Sequence, residues 1–246
     1  NVRAKFAEEL RRVEVIHNGF DRADYAMLAD VDKSEAERDR CVFLYTGIFY
    51  KERNPRLFLR AVRELIDEGR LDADRIRLRF AGVFDYPGYS DNADCVRDLR
   101  LEAVVDVLGH LPHKQALTAM KQADVLVLVG DTAPGSGDYI PGKLYEYMAI
   151  GKPILALSLP GETTRIIETY GLGTVADPLD LAAIKEAVLA LYGQWQARNE
   201  GADAGDQAAS GGPAGPGPAT GYGPDKPSVA VYERREQARM LAQLLD

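Results

Sequence analysis

The sequence predicts a doubly wound α/β domain, a parallel sheet with helices on both faces, and two observations carry that prediction. The first is a set of short runs that are apolar almost throughout, such as CVFLYT at 41–46 and DVLVLV at 124–129. A strand that shows no alternation between apolar and polar is buried on both faces, which is the condition inside a parallel sheet covered by helices. The second is that such runs alternate with amphipathic stretches of helical length from about residue 10 to residue 195, the order expected of repeated βαβ units.

Taken in order, strands are expected at 13–16, 41–46, 76–81, 104–108, 125–129, 154–157 and 173–176. Helices are expected at 55–68, 93–102, 113–122, 141–150, 162–170 and 181–192. Asn54-Pro55 reads as a helix start, because Asn can cap and Pro suits a first turn. Residues 84–92, FDYPGYSDN, read as a turn-rich loop on the edge of the sheet that faces ligand. Together these make a first unit over 1–198. From 199 to 228 the sequence is dominated by Gly, Ala, Pro and small polar residues, with too few apolar side chains to offset the entropy of ordering, and it is expected to be a disordered linker. Residues 229–246 then read as an amphipathic helix with Met240, Leu241, Leu244 and Leu245 on its apolar stripe.

Composition removes several classes of function. No run approaches the roughly 18 apolar residues of a membrane span, and the N-terminal segment is charged without the pattern of a secretory signal. A net charge of −8 opposes nucleic acid as the main partner, because phosphate backbones require a basic surface. Cys41 and Cys95 form neither a metal ladder nor a disulfide framework, which suits a reducing cytoplasm. Of the three histidines, none stands at metal-ligand spacing from an acid or a cysteine, and no metal site is expected. Asp30-Val31-Asp32 and Asp72-Ala73-Asp74 spell D-x-D but lie in charged connections that read as solvated loops.

The informative stretch is 138–157, DYIPGKLYEYMAIGKPILAL. Residues 137–144, GDYIPGKL, come within one letter of a P-loop, but Leu144 stands where Ser or Thr would hold magnesium. Pro141 also removes an N–H from a loop that works through N–H groups, so the P-loop reading fails. No G-x-G-x-x-G follows any expected strand, which leaves a dinucleotide site without support. What remains is a helix opening near Pro141, whose N-terminus presents N–H groups and partial positive charge to an anion, with Lys143 adding a full charge. Glu146 falls on the side opposite Leu144, Tyr147 and Met148. In an open α/β sheet, helix N-termini lie at the carboxyl ends of the strands, where an acid behind an anion site can accept both hydroxyls of a ribose joined to a diphosphate.

Asp138 and Glu146 also stand eight apart, as in the E-x7-E motif of retaining GT-B glycosyltransferases, and the chain resembles that family (glycosyltransferase family 4-like) in ordered detail. VIHNGFD at 15–21 resembles the opening of the family's C-terminal, Rossmann-like nucleotide-sugar-binding domain. YTGIFYKERNPRLFLRAV at 45–62 resembles its glycine loop and following helix, and RLRFAG at 77–82 and VLGHLPHKQALTAMKQADVLVL at 107–128 the next units. KPILAL at 152–157 resembles the strand after the motif helix, and YERREQARMLAQLLD the terminal helix that crosses to the other domain.

The resemblance implies transfer of a sugar from a nucleoside diphosphate donor to a carbohydrate, lipid or small-molecule acceptor. It implies no cofactor beyond that substrate and no metal, with peripheral membrane association of a whole protein compatible with it. Carried onto this sequence, Asp138, Tyr139 and Ile140 would meet the donor sugar, and Gly47, Arg53, Gly142 and Lys143 the diphosphate. Glu146 would hold the ribose, and Leu111 and Pro112 would lie at the base. Ile48 stands where the family has an arginine, Asp138 where it has the first glutamate, and His17 where it has a turn proline; Lys143 and Lys51 are candidate substitutes at the diphosphate. The groups facing the anomeric carbon are expected mainly in an N-terminal acceptor domain absent from this sequence, so the chain is expected to be inactive alone. A sugar-nucleotide epimerase of the same architecture and a non-catalytic α/β binding domain are the alternatives.

Overall fold

The computed structural model describes residues 14–50, 53–205 and 227–245. Among them, six strands form one parallel sheet: β1 (Cys41–Ile48), β2 (Ile76–Val83), β3 (Val105–Gly109), β4 (Val125–Val129), β5 (Ile154–Leu157) and β6 (Gly173–Ala176). Their order across the sheet is β3-β2-β1-β4-β5-β6. The chain builds outward from β1 to β3, then returns to the other side of β1 and builds outward again to β6. This reversal opens a crevice beyond the carboxyl ends of β1 and β4, the place where open α/β sheets receive ligands.

The helices are α1 (Arg56–Asp67), α2 (Asp91–Asp98), α3 (His113–Gln122), α4 (Lys143–Ile150), α5 (Glu162–Tyr170), α6 (Leu181–Gly205) and α7 (Arg234–Leu245). Strand alternation feeds two cores. Phe43 and Tyr45 of β1 and Val125 and Val127 of β4 enter one cluster with α1, α2 and α6, where Phe58, Val96, Val188 and Trp195 pack. Val42, Leu44, Leu126 and Leu128, one residue out of phase, enter the opposite cluster with Leu117, Leu144, Tyr147 and Ile166. The apolar runs are therefore continuous because each face has its own layer of helices, as the sequence predicts.

Several boundaries differ. The strand expected at 13–16 does not form among its described residues; Val15 is 64% exposed, and pairing there is limited to a bridge between Phe20 and Glu233. α2 starts earlier than expected, because the Asp85 carboxylate accepts from the N–H groups of Asn92 (2.9 Å) and Ala93 (3.0 Å) and so fixes the first turn. α6 continues to Gly205, so residues 199–205 of the expected linker are helical; 206–226 lie outside the described residues.

The terminal segment returns to the domain itself. Phe20 N–H donates to Tyr232 O (3.0 Å), Arg234 N–H to Phe20 O (2.9 Å), and the Gln237 amide to the carbonyls of His17 (2.9 Å) and Asn18 (3.0 Å). The buried Tyr232 ring sits among His17, Tyr145 and Tyr170. The HNGFD motif is thus the seat of the C-terminal strap, and Tyr145 carries that contact to α4 in the candidate site.

Candidate active site

The crevice is organised around Gly47, the next-to-last residue of β1. Its φ of +133° strains any L side chain, and a Cβ there would come 2.6 Å from the Lys143 Nζ. Lys143 opens α4, with Gly142 as N-cap; Pro141 stands one residue before the cap rather than in the helix, where the sequence places it. The Lys143 Nζ donates to the Thr46 carbonyl at 2.6 Å and lies 4.1 Å from the centroid of the Tyr45 ring. That ring is held by a stacked Phe49 at 4.0 Å and by its hydroxyl, which donates to Ile48 O at 3.2 Å.

Burial, then the nearby positive charge of Arg53, lowers the Lys143 pKa to about 7, against the opposing pull of Glu146. A cation desolvated in this way gains from an anion brought beside it. Arg53 lies on the loop between β1 and α1, with its guanidinium 5.1 Å from the Tyr50 ring centroid. Its buried Nε has no hydrogen-bond partner among the described residues. Lys51, the other candidate cation of this loop, lies outside the described residues.

The position of α4 is fixed from below. Tyr147, fully buried, donates its hydroxyl to Val127 O at 3.1 Å, lies 3.2 Å from Thr46 Oγ1, and accepts from Thr46 N–H at 3.4 Å. One phenol therefore ties α4 to the carboxyl halves of both β1 and β4. The N-terminal end of α4, with its N–H groups and positive dipole end, faces the crevice by construction.

Glu146 is partly buried rather than a freely solvated helix acid. Burial pushes its carboxyl pKa upward, opposed by the charges of His113 and Lys143. It also contributes to the rise of the Tyr25 phenol to about 12, after burial. Glu146 is thus placed between Lys143 on its own helix and the first residue of α3. The loop entering α3 carries Leu111, partly buried against the core, and Pro112, the N-cap of the helix.

The segment assigned to the donor sugar is built differently. Asp138 is exposed at the end of a 3-10 turn (Ser136–Asp138), Tyr139 is 65% exposed, and Ile140 packs partly into the core. The turn is seated against the start of α5: a Cβ on Gly137 would meet Pro160 O at 2.3 Å, and one on Gly161 would meet the Gly137 carbonyl carbon at 2.2 Å. Thr163 Oγ1 donates to Tyr139 O at 2.9 Å. A cavity of about 280 Å³ opens between this turn and the β1–α1 loop, lined in part by Tyr50, Arg53, Ser136, Tyr139, Pro141 and Thr163. Asp138 does not line it.

The structure therefore brings Gly47, Gly142, Lys143 and Glu146 to one corner, with Arg53 and Tyr139 at the adjoining cavity, and places Leu111 and Pro112 on the loop that leads into His113, whose charge acts on Glu146. Sequence reasoning missed Tyr45, Thr46, Tyr147 and Thr163. Tyr147 reads as core in a helical pattern, and no spacing marks it as a hydroxyl bridge between two strands. Among the described residues no group of three or more His, Cys, Asp or Glu could hold a metal ion, and no helix is long and apolar enough to cross a membrane.

The fold recurs in solved glycosyltransferase structures. A glycosyltransferase from Rickettsia africae superposes with a TM-score of 0.63 at 12% identity, over 99% of this chain and 60% of that one. HepE from Anabaena, solved in complex with UDP and glucose, gives a TM-score of 0.59 at 16% identity, over 94% of this chain and 56% of that one. Sucrose-phosphate synthase from Thermosynechococcus elongatus gives 0.59 at 17%, over 99% and 54%. The chain thus spans little more than half the length of these proteins. No curated protein sequence matches it. The family model for glycosyl transferases group 1 matches residues 28–207, which contain the whole sheet and the crevice. The chain belongs to the glycosyl transferases group 1 family.

Proposed function

We propose that this chain is the donor-binding half of a retaining GT-B glycosyltransferase, holding a nucleoside diphosphate sugar in the crevice between β1 and β4. The observation that carries this reading is the Lys143 ammonium, partly desolvated above Gly47 at the head of α4. A diphosphate there replaces the lost hydration of Lys143, meets Arg53 from the β1–α1 loop, and receives the N-terminal end of α4. Glu146 accepts from the ribose hydroxyls, and the base lies toward Leu111 and Pro112. The donor sugar enters the cavity beside Tyr139 and Ile140, and Asp138 turns to a sugar hydroxyl once donor and acceptor half are in place.

In the transfer, charge develops on the diphosphate as its bond to the anomeric carbon breaks. Lys143, Arg53 and the α4 N-terminus lie where they stabilise that charge without reorganising. The acceptor half, corresponding to the part of the solved structures this chain does not cover, brings the groups that face the anomeric carbon, so this chain alone binds nucleotide and transfers nothing. The reading requires no cofactor or metal, and it places the protein in the cytoplasm, where Cys41 and Cys95 stay reduced.

Calorimetric titration of UDP, GDP, ADP and TDP tests it. At least one should bind, and Lys143→Met should weaken that binding by about ten- to a hundredfold, the range of one or two charge-assisted hydrogen bonds. Absence of binding by all four nucleotides would overturn the reading.

A further inference from the structure

The amino-terminal edge of the sheet, opposite the crevice, is where β1, β4 and β5 begin side by side. Phe43 pairs with Val125, and Leu126 pairs with Ile154. Leu126 N–H donates to Pro153 O at 2.8 Å, so the same register, carried back past the strand ends, sets Asp124 beside Lys152. Asp124 is a fixed carboxylate. Its Oδ2 accepts from Val42 N–H at 2.8 Å and from Lys33 Nζ at 2.5 Å, and Lys33 also donates to Arg40 O. The side chains of Lys33 and Asp124 are each 15% exposed, so the charge of Asp124 is already met in a largely buried pair.

Further cations stand around this pair. Lys121 is in the last turn of α3, and Lys152 lies between Gly151, the cap of α4, and the start of β5. Arg198 comes from α6, one turn beyond Trp195, whose ring centroid lies 6.0 Å from Lys33 Nζ. The charges of Lys33 and Arg198 both reach the buried thiol of Cys41, the first residue of β1. Among the described residues, none of Lys121, Lys152 and Arg198 has a side-chain hydrogen bond or an ion pair. The helices elsewhere neutralise their cations: Arg60 and Lys185 meet Glu64, Arg63 meets Asp67, and Arg165 meets Glu162. Lys152 is also partly buried, and burial above all lowers its pKa; Asp124 opposes that fall, while Lys121, Arg198 and Lys33 add to it. An unpaired, partly desolvated ammonium held among like charges gains from an anion placed between them.

We infer that this edge binds a small phosphate-bearing anion, inorganic phosphate or a phosphate monoester, among Lys121, Lys152 and Arg198 and beside the Lys33–Asp124 pair. Such an anion carries close to two negative charges at neutral pH and several acceptor oxygens, which answers the excess of cations over the one carboxylate. The Arg198 guanidinium offers it two donors in one plane, and each lysine a point charge. A membrane or a nucleic acid is a poorer fit, because both require a broad basic surface. The net charge of the chain is −8, and the exposed Asp32 flanks the end of α3, its carbonyl accepting from the Gln122 amide at 3.1 Å. The site lies at the opposite end of β1 and β4 from Lys143 and does not rest on the donor reading.

The test is calorimetric titration of inorganic phosphate into the full 246-residue chain carrying Lys143→Met, which removes the crevice cation, at an ionic strength held constant with chloride. This chain should bind phosphate. Adding Lys152→Gln or the exposed Arg198→Gln should each weaken that binding by about tenfold, and the two together should abolish it, with urea unfolding showing that every variant is folded. Absence of phosphate binding to the Lys143→Met chain would overturn the inference, as would an affinity unchanged by both further substitutions. Cosedimentation with phosphatidylcholine vesicles that contain phosphatidylserine, without binding of free phosphate, would assign these cations to a lipid surface and overturn it too. Phosphate binding that depends on Lys152 and Arg198 in a chain whose wild type binds none of the four nucleotides would support the inference while overturning the donor reading.

Discussion

The corner at Gly47 and Lys143 and the turn at 136–139 adjoin each other, yet they are built on opposite plans. At the corner, side chains are fixed: Lys143 is hydrogen-bonded to Thr46 O and lies over Tyr45, and Tyr147 joins α4 to both central strands. At the turn, the backbone is fixed, by the close approach of Gly137 to Pro160 and by Thr163 on Tyr139 O, while Asp138 and Tyr139 project into solvent. The difference teaches which interactions this half of the architecture can complete by itself. On the reading proposed above, the contacts to the phosphates are preorganised within this chain and those to the donor sugar await a second surface.

The largest effect is expected at Gly47. Gly47→Val places a branched side chain at a positive φ and against the Lys143 ammonium, so it should cost about 1–3 kcal/mol of stability by denaturant unfolding. It should also abolish nucleotide binding in calorimetry. An intact site in that variant would mean that Lys143 is not confined above the glycine.

A smaller effect comes from pH. Lys143 must be protonated to hold an anion, and its pKa in the free chain is about 7. Nucleotide affinity should therefore fall as pH rises through about 7 and approach that of Lys143→Met by about pH 9. Folding stability follows the opposite sign. The unfolded chain keeps this lysine protonated to about pH 10, so between about 7 and 10 it binds more protons than the native state, and the Lys143 contribution to stability rises with pH. Comparing wild type with Lys143→Met across this range by calorimetry and urea unfolding checks both slopes.

The smallest effect belongs to the turn. Asp138→Asn should change binding of the nucleoside diphosphate by less than about twofold, because this carboxylate is exposed and does not line the cavity beside Tyr139. A tenfold loss would show that the two regions are not separable.

The sheet was legible in the sequence because runs such as CVFLYT and DVLVLV read as buried on both faces and alternate with amphipathic stretches of helical length, the pattern of a helix-covered parallel sheet. Gly47, Lys143 and Glu146 were legible as candidates from residue type and family order. What could not be read was their joint placement. Lys143 meets Thr46 O across 97 positions of sequence, and that contact depends on the sheet order and the backbone at Gly47. Glu146 is partly buried and acts electrostatically with groups on two other elements, His113 and Tyr25, which helical periodicity cannot register. The run at 13–16 misled because its described residues, 14–16, join no strand and Val15 is exposed. The helical reach of α6 to Gly205 was hidden by glycines at 201 and 205, which punctuate a sequence more strongly than they end a helix.

On the proposed reading, a nucleoside diphosphate lies with its phosphates at Lys143 and its ribose at Glu146. The most direct measurement compares calorimetric affinity for the nucleotide that binds with that for its analogue lacking both ribose hydroxyls, in wild type and in Glu146→Gln. A charged acceptor is worth about 1.5–3 kcal/mol per hydrogen bond, so wild type should prefer the hydroxylated nucleotide by about tenfold or more, and Glu146→Gln should largely lose that preference. If both proteins discriminate equally, the ribose is held elsewhere and the nucleotide does not lie along α4 as described.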